Sequence, residues 1–366
     1  MKFEINREIL LKPLQQVAGV VERRQTLPIL SNILMQLDGN KLSLTGTDLE
    51  VEMVAVVDVV GSDAGEITVP ARKFLDICRE LPDNADIEVT LNDQRLEIRS
   101  GRFRSHLSTL AAADFPVVDK TESQESAEVD AQSLKQLLEL TGFAMAQQDV
   151  RYFLNGMLIE HGDGYLRSVA TDGHRLAMNS LSLGQGEVNL GQVIVPRKGG
   201  LELQRVLADL EDNVSISIGA SHLCLQAGSY RLTTKLIDGR FPDYERVIPR
   251  NGDKHILANK MDLRKALNRT AILSNEKFRG IRVQFSNGVI QLSANNPEQE
   301  DAEETVLVNY TGPDLEIGFN VGYLLDVLNV VRSDEVKITV FDENSSALLE
   351  DPASENALYV IMPMKL

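Results

Sequence analysis

Two hydrophobic periods alternate along the chain. In LLKPLQQVAGVV, from Leu10, the apolar residues Leu10, Leu14, Val17 and Val21 fall at steps of 4, 3 and 4 and share one helical face. SLKQLLELTGFAM from Ser133 and DLRKALNRTAIL from Asp262 are stretches of the same kind. Pro13 suits the first helix if it falls in the first turn, where a missing N–H costs little. A second helical stretch follows each: VPARKFLDICREL from Val69, VPRKGGLELQRVL from Val195 and NVGYLLDVLNVV from Asn320. Strands come next, in IEVTLNDQRLEIRS, VSISIGASHLCLQA and VKITVFDENSSALLE; IEVTL and VSISI alternate apolar and polar residues at period two. Asn92-Asp93 and Asp342-Glu343-Asn344 supply the turns of hairpins.

The same order of elements thus occurs three times in 366 residues, a repeat of 122. Two repeats close alike, with Gly101 then Phe115-Pro116, and Gly228 then Phe241-Pro242. The polar stretches TESQESAE (121–128) and PRNGDKH (249–255) read as linkers, which sets three domains at 1–120, 128–246 and 250–366. Each is expected to be α+β with antiparallel sheets, since alternation leaves one strand face polar.

Charge is sorted along this pattern. Over 7–24, 72–80, 132–148, 197–209, 260–269 and 320–332 the predicted helices hold 16 Lys and Arg against 9 Asp and Glu. The remainder holds 21 against 45, and the chain as a whole carries −17. An acidic protein can still attract a polyanion through a local basic face, because potential decays within ~10 Å at moderate salt.

Catalytic signatures are missing. There is no phosphate-cradling Gly-rich loop, no H-E-x-x-H, no C-x-x-C and no G-x-S-x-G. Histidines 106, 161, 174, 222 and 255 are scattered, and His174, after the Asp172-Gly173 turn, reads as a structural hydrogen-bonder. The acidic run 295–304 lacks calcium-loop spacing and reads as a solvated or interfacial surface. Cys78 and Cys224 supply neither a disulfide framework nor a zinc set, so no cofactor or metal is expected. The N-terminus has no signal-peptide stretch and no apolar run reaches the ~18 residues of a membrane helix, which points to the cytoplasm.

LTGTDLE (44–50), VPARKF (69–74), QDVRYFLNGM (148–157), ATDGHRLA (170–177), KLIDGRFPDYERVIP (235–249), AILSNEKFRGIR (271–282), IGFNVGYLLDVL (317–328) and YVIMPMKL (359–366) are specific in combination and in order. Together they resemble the bacterial sliding-clamp family, the beta subunits of DNA polymerase III. The resemblance runs the length of the chain. It implies three tandem clamp domains, sheets outside and two helices each inside, in a six-domain ring made by a homodimer around duplex DNA. Twelve helices packed ~8–10 Å apart close a circle of axes ~30–38 Å across. Removing a helix diameter of ~10–12 Å leaves a bore of ~20–28 Å, room for a duplex. The activity implied is processivity without catalysis: DNA is held topologically and the replicative polymerase is tethered to it. The alternative is a scaffold that recruits partners without encircling DNA.

The resemblance also implies sites. DNA contact falls to Arg24, Gln148, Tyr152, Phe153, Arg197 and Lys198, with Phe153 where relatives often carry Tyr. A pocket for short hydrophobic peptides of the polymerase alpha subunit, the clamp loader, other polymerases and repair proteins falls to several segments. From the second domain come Leu154, Thr171, Gly173, His174, Arg175, Leu176, Pro242, Arg246 and Val247. From the third come Asn320, Tyr323, Ser346, Val360, Met362, Pro363, Met364, Lys365 and Leu366. The dimer interface falls to Lys73, Arg102, Phe103, Arg104 and Ser105 at one end. Ile272, Leu273, Glu298, Glu300, Glu303 and Glu304 stand at the other; core packing is the competing reading for Ile272.

Overall fold

A computed structural model describes residues 1–22, 27–118, 126–162, 164–183, 191–250 and 252–365. Arg24 and Leu366, expected at the DNA and peptide sites, lie outside the described residues.

The first repeat runs β1 (Lys2–Asn6), α1 (Arg7–Val20), β2 (Asn32–Asp38), β3 (Lys41–Thr47), β4 (Val51–Asp58), β5 (Val60–Asp63) and β6 (Gly65–Pro70). It continues through α2 (Ala71–Glu80), β7 (Asp86–Asn92), β8 (Arg95–Ser100) and β9 (Phe103–Ser108). The second runs β10 (Ser126–Asp130), α3 (Ala131–Gly142), β11 (Gly156–Gly162), β12 (Tyr165–Thr171), β13 (Arg175–Ser182) and β14 (Gln192–Pro196). It ends with α4 (Arg197–Leu207), β15 (Asn213–Ile218), β16 (His222–Ala227) and β17 (Tyr230–Lys235). The third has β18 (Lys254–Asn259), α5 (Lys260–Ala271), β19 (Gly280–Ser286), β20 (Val289–Asn295), β21 (Asp301–Asn309) and β22 (Leu315–Asn320). Last come α6 (Val321–Val330), β23 (Glu335–Val340), β24 (Ala347–Asp351) and β25 (Ser354–Ile361). Among the described residues the three repeats, six α-helices and both hairpin turns fall where the residue pattern puts them, apart from the start of α1 and the end of α3.

Two expectations about helices need correction. Helix α1 begins at Arg7, because the Asn6 side chain accepts the Glu8 N–H at 3.0 Å and caps it there. Pro13 is therefore an interior residue and not a first-turn one. The carbonyl it leaves unbonded belongs to Ile9, on the exposed face where water can satisfy it. Helix α3 stops at Gly142, six residues short of the expected 148, at a residue type that ends helices readily. The observed helices still hold 13 Lys and Arg against 7 Asp and Glu.

Each repeat makes two antiparallel sheets from the same positions. One has the orders β6-β2-β3-β4, β14-β11-β12-β13 and β22-β19-β20-β21; the other β1-β7-β8-β9, β10-β15-β16-β17 and β18-β23-β24-β25. The last strand of one repeat then pairs with the fourth sheet strand of the repeat before it. Tyr230 to Thr234 of β17 lie against Ala55 to Val51 of β4, and Ala357 to Ile361 of β25 against Asn179 to Arg175 of β13. The chain accordingly packs as two compact units that cut through the second repeat: Met1–Gln132 with Leu201–Leu236, and Ser133–Gly200 with Ile237–Leu366.

Beneath α1 the core is closed by Leu10, Leu14 and Val17, all fully buried. Arg7 is buried as well. Its guanidinium donates to the Cys78 and Arg79 carbonyls at 3.0 Å each, satisfying the open C-terminal end of α2.

Candidate functional site

In the second compact unit a cavity of about 260 Å³ opens to the surface. Strand β13 supplies Leu176 and β25 supplies Val360, paired across the sheet. Short 3-10 turns at Tyr152–Asn155 and Tyr244–Val247 bring Phe153, Leu154, Tyr244 and Val247 to the wall, and Pro242 and Met362 complete the apolar lining. Below it Leu158, Val169, Ile194 and Phe241 form a buried cluster with Leu176, Tyr244 and Val360. The floor is a packed apolar cluster and most of the lining is apolar, a combination suited to an aliphatic or aromatic side chain.

Polar groups around this wall are fixed in place. Gly173 sits at φ +88°, where a side chain is strained, and a Cβ there would come within 3.0 Å of the Arg151 guanidinium. Arg175 donates to Asp172 at 3.1 Å, to Asp326 at 2.5 Å and to the Phe143 carbonyl at 2.8 Å, and lies 4.5 Å from the Tyr323 ring centre. It is a strut and not a free binding hand. The Tyr244 hydroxyl donates to Glu160 at 2.7 Å and accepts from Arg167 at 2.9 Å. Burial, then the Glu160 contact, pushes its pKa up to about 12, so it stays protonated.

Asp149 anchors the 148–155 loop. It accepts the Arg151 backbone N–H at 2.8 Å and two guanidinium bonds at 3.0 and 2.8 Å. Those bonds hold its carboxyl down at about 2 against an ordinary 3.8. A depressed carboxylate stabilises the fold fully above the unfolded value and loses that contribution as pH falls towards 2. Arg151→Ala should raise the Asp149 midpoint towards 3.8 in a carbon-detected NMR titration; a midpoint still near 2 would assign the effect to the backbone N–H alone.

Of the expected pocket residues, Leu154, Thr171, Gly173, Arg175, Leu176, Pro242, Val247, Val360 and Met362 line the cavity. The others surround it or stand apart. The His174 carbonyl accepts the Met362 N–H at 2.9 Å, the Met364 N–H reaches the Gly318 carbonyl at 2.8 Å, and Asn320 caps α6. Exposed Arg246 pairs with Asp243 at 2.7 Å. Tyr323 stacks on Arg175, Ser346 and Pro363 are half-buried and Lys365 is exposed. Arg151, Asp243 and Tyr244 line the cavity without having been picked out. Asp243 and Tyr244 directly follow Pro242, and Arg151 sits inside QDVRYF, so adjacency was the available signal.

Among the expected DNA residues, Gln148 and Tyr152 are exposed, with Gln148 at φ +57°. Phe153 is placed in the pocket wall, edge-on to Tyr152 with ring centres 5.8 Å apart. Arg197 and Lys198 open α4 and are half-buried.

At the expected interface positions Ile272 is 76% exposed, which removes core packing as its role, and Leu273 is partly exposed. Phe103 and Leu307 also stand out, at 41% and 80%. Lys73, Arg102, Glu298, Glu300 and Glu303 are exposed. Arg104 pairs with Glu97 at 2.6 Å, Glu304 with Arg269, and the Ser105 hydroxyl oxygen is buried with no hydrogen-bond partner among the described residues.

Family models match three successive segments of the chain. The DNA polymerase III beta subunit N-terminal domain matches residues 1–119, the central domain 128–243 and the C-terminal domain 245–365. The beta sliding clamp of Pseudomonas aeruginosa is 55% identical and that of Escherichia coli K12 is 52% identical, each over the whole of both chains. A crystal structure of the DNA polymerase III subunit beta from Pseudomonas aeruginosa superposes with a TM-score of 0.97 at 55% identity, covering both chains completely. That of Caulobacter crescentus does so at 0.95 and 39%, also over both whole chains. No helix of the described residues is long and apolar enough to cross a membrane. With three antiparallel α+β repeats in the order the family models require, the chain belongs to the bacterial DNA polymerase III beta-subunit family, the beta sliding clamps.

Proposed function

We propose that two copies of this chain close head to tail into a ring around duplex DNA, and that the ring tethers the replicative polymerase to its template. The observation that carries this reading is the repeated strand seam. Two of three possible seams form within the chain, and among the described residues the third is left as two open edges, β9 and residues 301–307 of β21. An unpaired edge is a template for another chain. A second copy satisfies both edges at once, a heterologous contact that closes after two subunits.

Strand equivalence sets the register of that missing seam. Phe103 holds the position of Tyr230 after a Gly-containing turn, and Glu304 that of Ala55 and Asn179. Phe103 then lies opposite Glu304 of the second copy, Arg104 opposite Glu303 and Ser105 opposite Ala302. The pairing sets a basic strand against an acidic one and gives the orphaned Ser105 hydroxyl a neighbour. The three domains are read as 1–120, 128–246 and 250–366.

The helices, basic in an acidic protein, line the bore. Gln148, Tyr152, Arg197 and Lys198 meet DNA without reading sequence, a contact that is weak and salt-sensitive. Retention is topological and needs no catalytic step. The 260 Å³ pocket takes short hydrophobic segments of the polymerase alpha subunit, the clamp loader and repair proteins. A tethered polymerase meets the primer end again at high effective concentration. The Pseudomonas aeruginosa clamp has been crystallised bound to griselimycin, which supports a ligand site in a close relative. Loaded by its clamp loader, the protein should stay on nicked circular DNA through gel filtration and leave once the circle is cut; equal loss from both forms would overturn the ring.

A further inference from the structure

The turn beside the pocket is built twice. In Thr47 to Val51, between β3 and β4, the Thr47 hydroxyl donates to the Val51 carbonyl at 2.9 Å and accepts the Leu49 N–H at 3.1 Å. Asp48 accepts the Glu50 and Val51 N–H groups at 2.9 and 2.7 Å. Thr171 to Arg175, between β12 and β13, makes the same four bonds at 2.5, 3.0, 2.9 and 3.1 Å. The incoming last strand docks alike in both: the Lys235 N–H donates to the Glu50 carbonyl at 2.8 Å, and the Met362 N–H to His174 at 2.9 Å. Leu49 even shares the left-handed backbone of Gly173, with φ of +77° and +88°.

Beside this first turn, within the first compact unit, lies a cavity of about 230 Å³. Leu49, Pro116, Val117, Val118, His222 and Lys235 line it, with Pro116 in the place of Pro242 and Lys235 in that of Met362. We propose that this cavity is a second docking site, for an extended peptide segment that carries an aliphatic side chain and a carboxylate. The inference rests on the reading of the 260 Å³ cavity as a peptide pocket, because the two share one scaffold.

Two features of this cavity fix the chemistry of its occupant. A leucine is strained at φ +77°, where glycine is at ease, yet Leu49 is held there with its side chain 40% exposed at the cavity. Val117 beside it is 61% exposed, so two aliphatic side chains offer an apolar surface to a third. Lys235 sets an ammonium where the other pocket has a thioether, and His222 adds an imidazole. A carboxylate complements that rim, whereas a cationic segment is disfavoured by it.

Methyl-labelled protein titrated with acetyl-Leu-Glu-Val amide tests this. The Leu49, Val117 and Val118 methyl signals should shift and saturate at millimolar peptide. Lys235→Glu should weaken the binding about tenfold. Leu49→Gly, which relaxes the turn and so keeps it folded, should weaken it similarly through Val117 and Val118, and acetyl-Leu-Lys-Val amide should bind less well than the glutamyl peptide. Still signals at these three residues, or shifts indifferent to Lys235→Glu and to peptide charge, would overturn the second site. Leu154, Leu176, Val247 and Val360 report the first pocket in the same spectra. Their silence while Leu49 and Val117 move would show the glutamyl peptide entering the second cavity alone, and shifts confined to them would overturn the second site.

Discussion

Replacing Ile272 and Leu273 together with alanine should convert the proposed dimer to monomer in sedimentation velocity, at concentrations where the parent chain stays paired. Ile272 caps α5 and is three-quarters exposed in the single chain, with Leu273 partly exposed beside it. Fully burying one such side chain contributes ~1.5–3 kcal/mol, so the pair contributes up to ~3–6 kcal/mol at each joint. At ~1.4 kcal/mol per tenfold, each joint weakens by roughly 10² to 10⁴. A closed ring has two joints and parts only when both open, so the substitution acts twice. The thermal midpoint of the monomer should barely change, because neither side chain fills the core. A dimer unchanged under dilution would remove these residues from the interface.

The repeat was legible because it is written locally. Leu10, Leu14 and Val17 mark a helix by spacing alone, and IEVTL and VSISI mark strands by alternation. Pro13 misled because the helix start is set by Asn6, whose capping oxygen competes with the apolar pattern as a boundary signal. What stayed hidden is non-local. No spacing reveals that Tyr230 pairs with Ala55, or that Ile361 pairs with Arg175 across 186 residues. The compact units therefore cross the repeats. At the pocket, Leu176 and Val360 were reachable through the family's motifs. The Glu160, Arg167 and Tyr244 network was not, since its members come from three elements that meet only after the sheet has formed.

On the proposed reading partner binding uses the chain's last residues, and their removal should separate it from ring closure. Deleting 362–366 takes Met362 out of the pocket wall and breaks its N–H bond to the His174 carbonyl, together with the Met364 bond to Gly318. The lost thioether surface contributes ~1.5–3 kcal/mol to any apolar side chain seated there. The 171–175 turn keeps its four internal bonds and loses only the Met362 contact to the His174 carbonyl. Affinity for the polymerase alpha subunit, read by surface plasmon resonance, should fall ~10- to 100-fold. The open edges are untouched: β9 ends at Ser108 and β21 at Asn309. Sedimentation should therefore still report a dimer, and the truncated ring should still be trapped on circular DNA. Unchanged polymerase affinity would place the binding elsewhere. A fall to monomers would instead mean that the tail props the β13–β25 seam, because β25 runs to Ile361 and the deletion begins one residue beyond it.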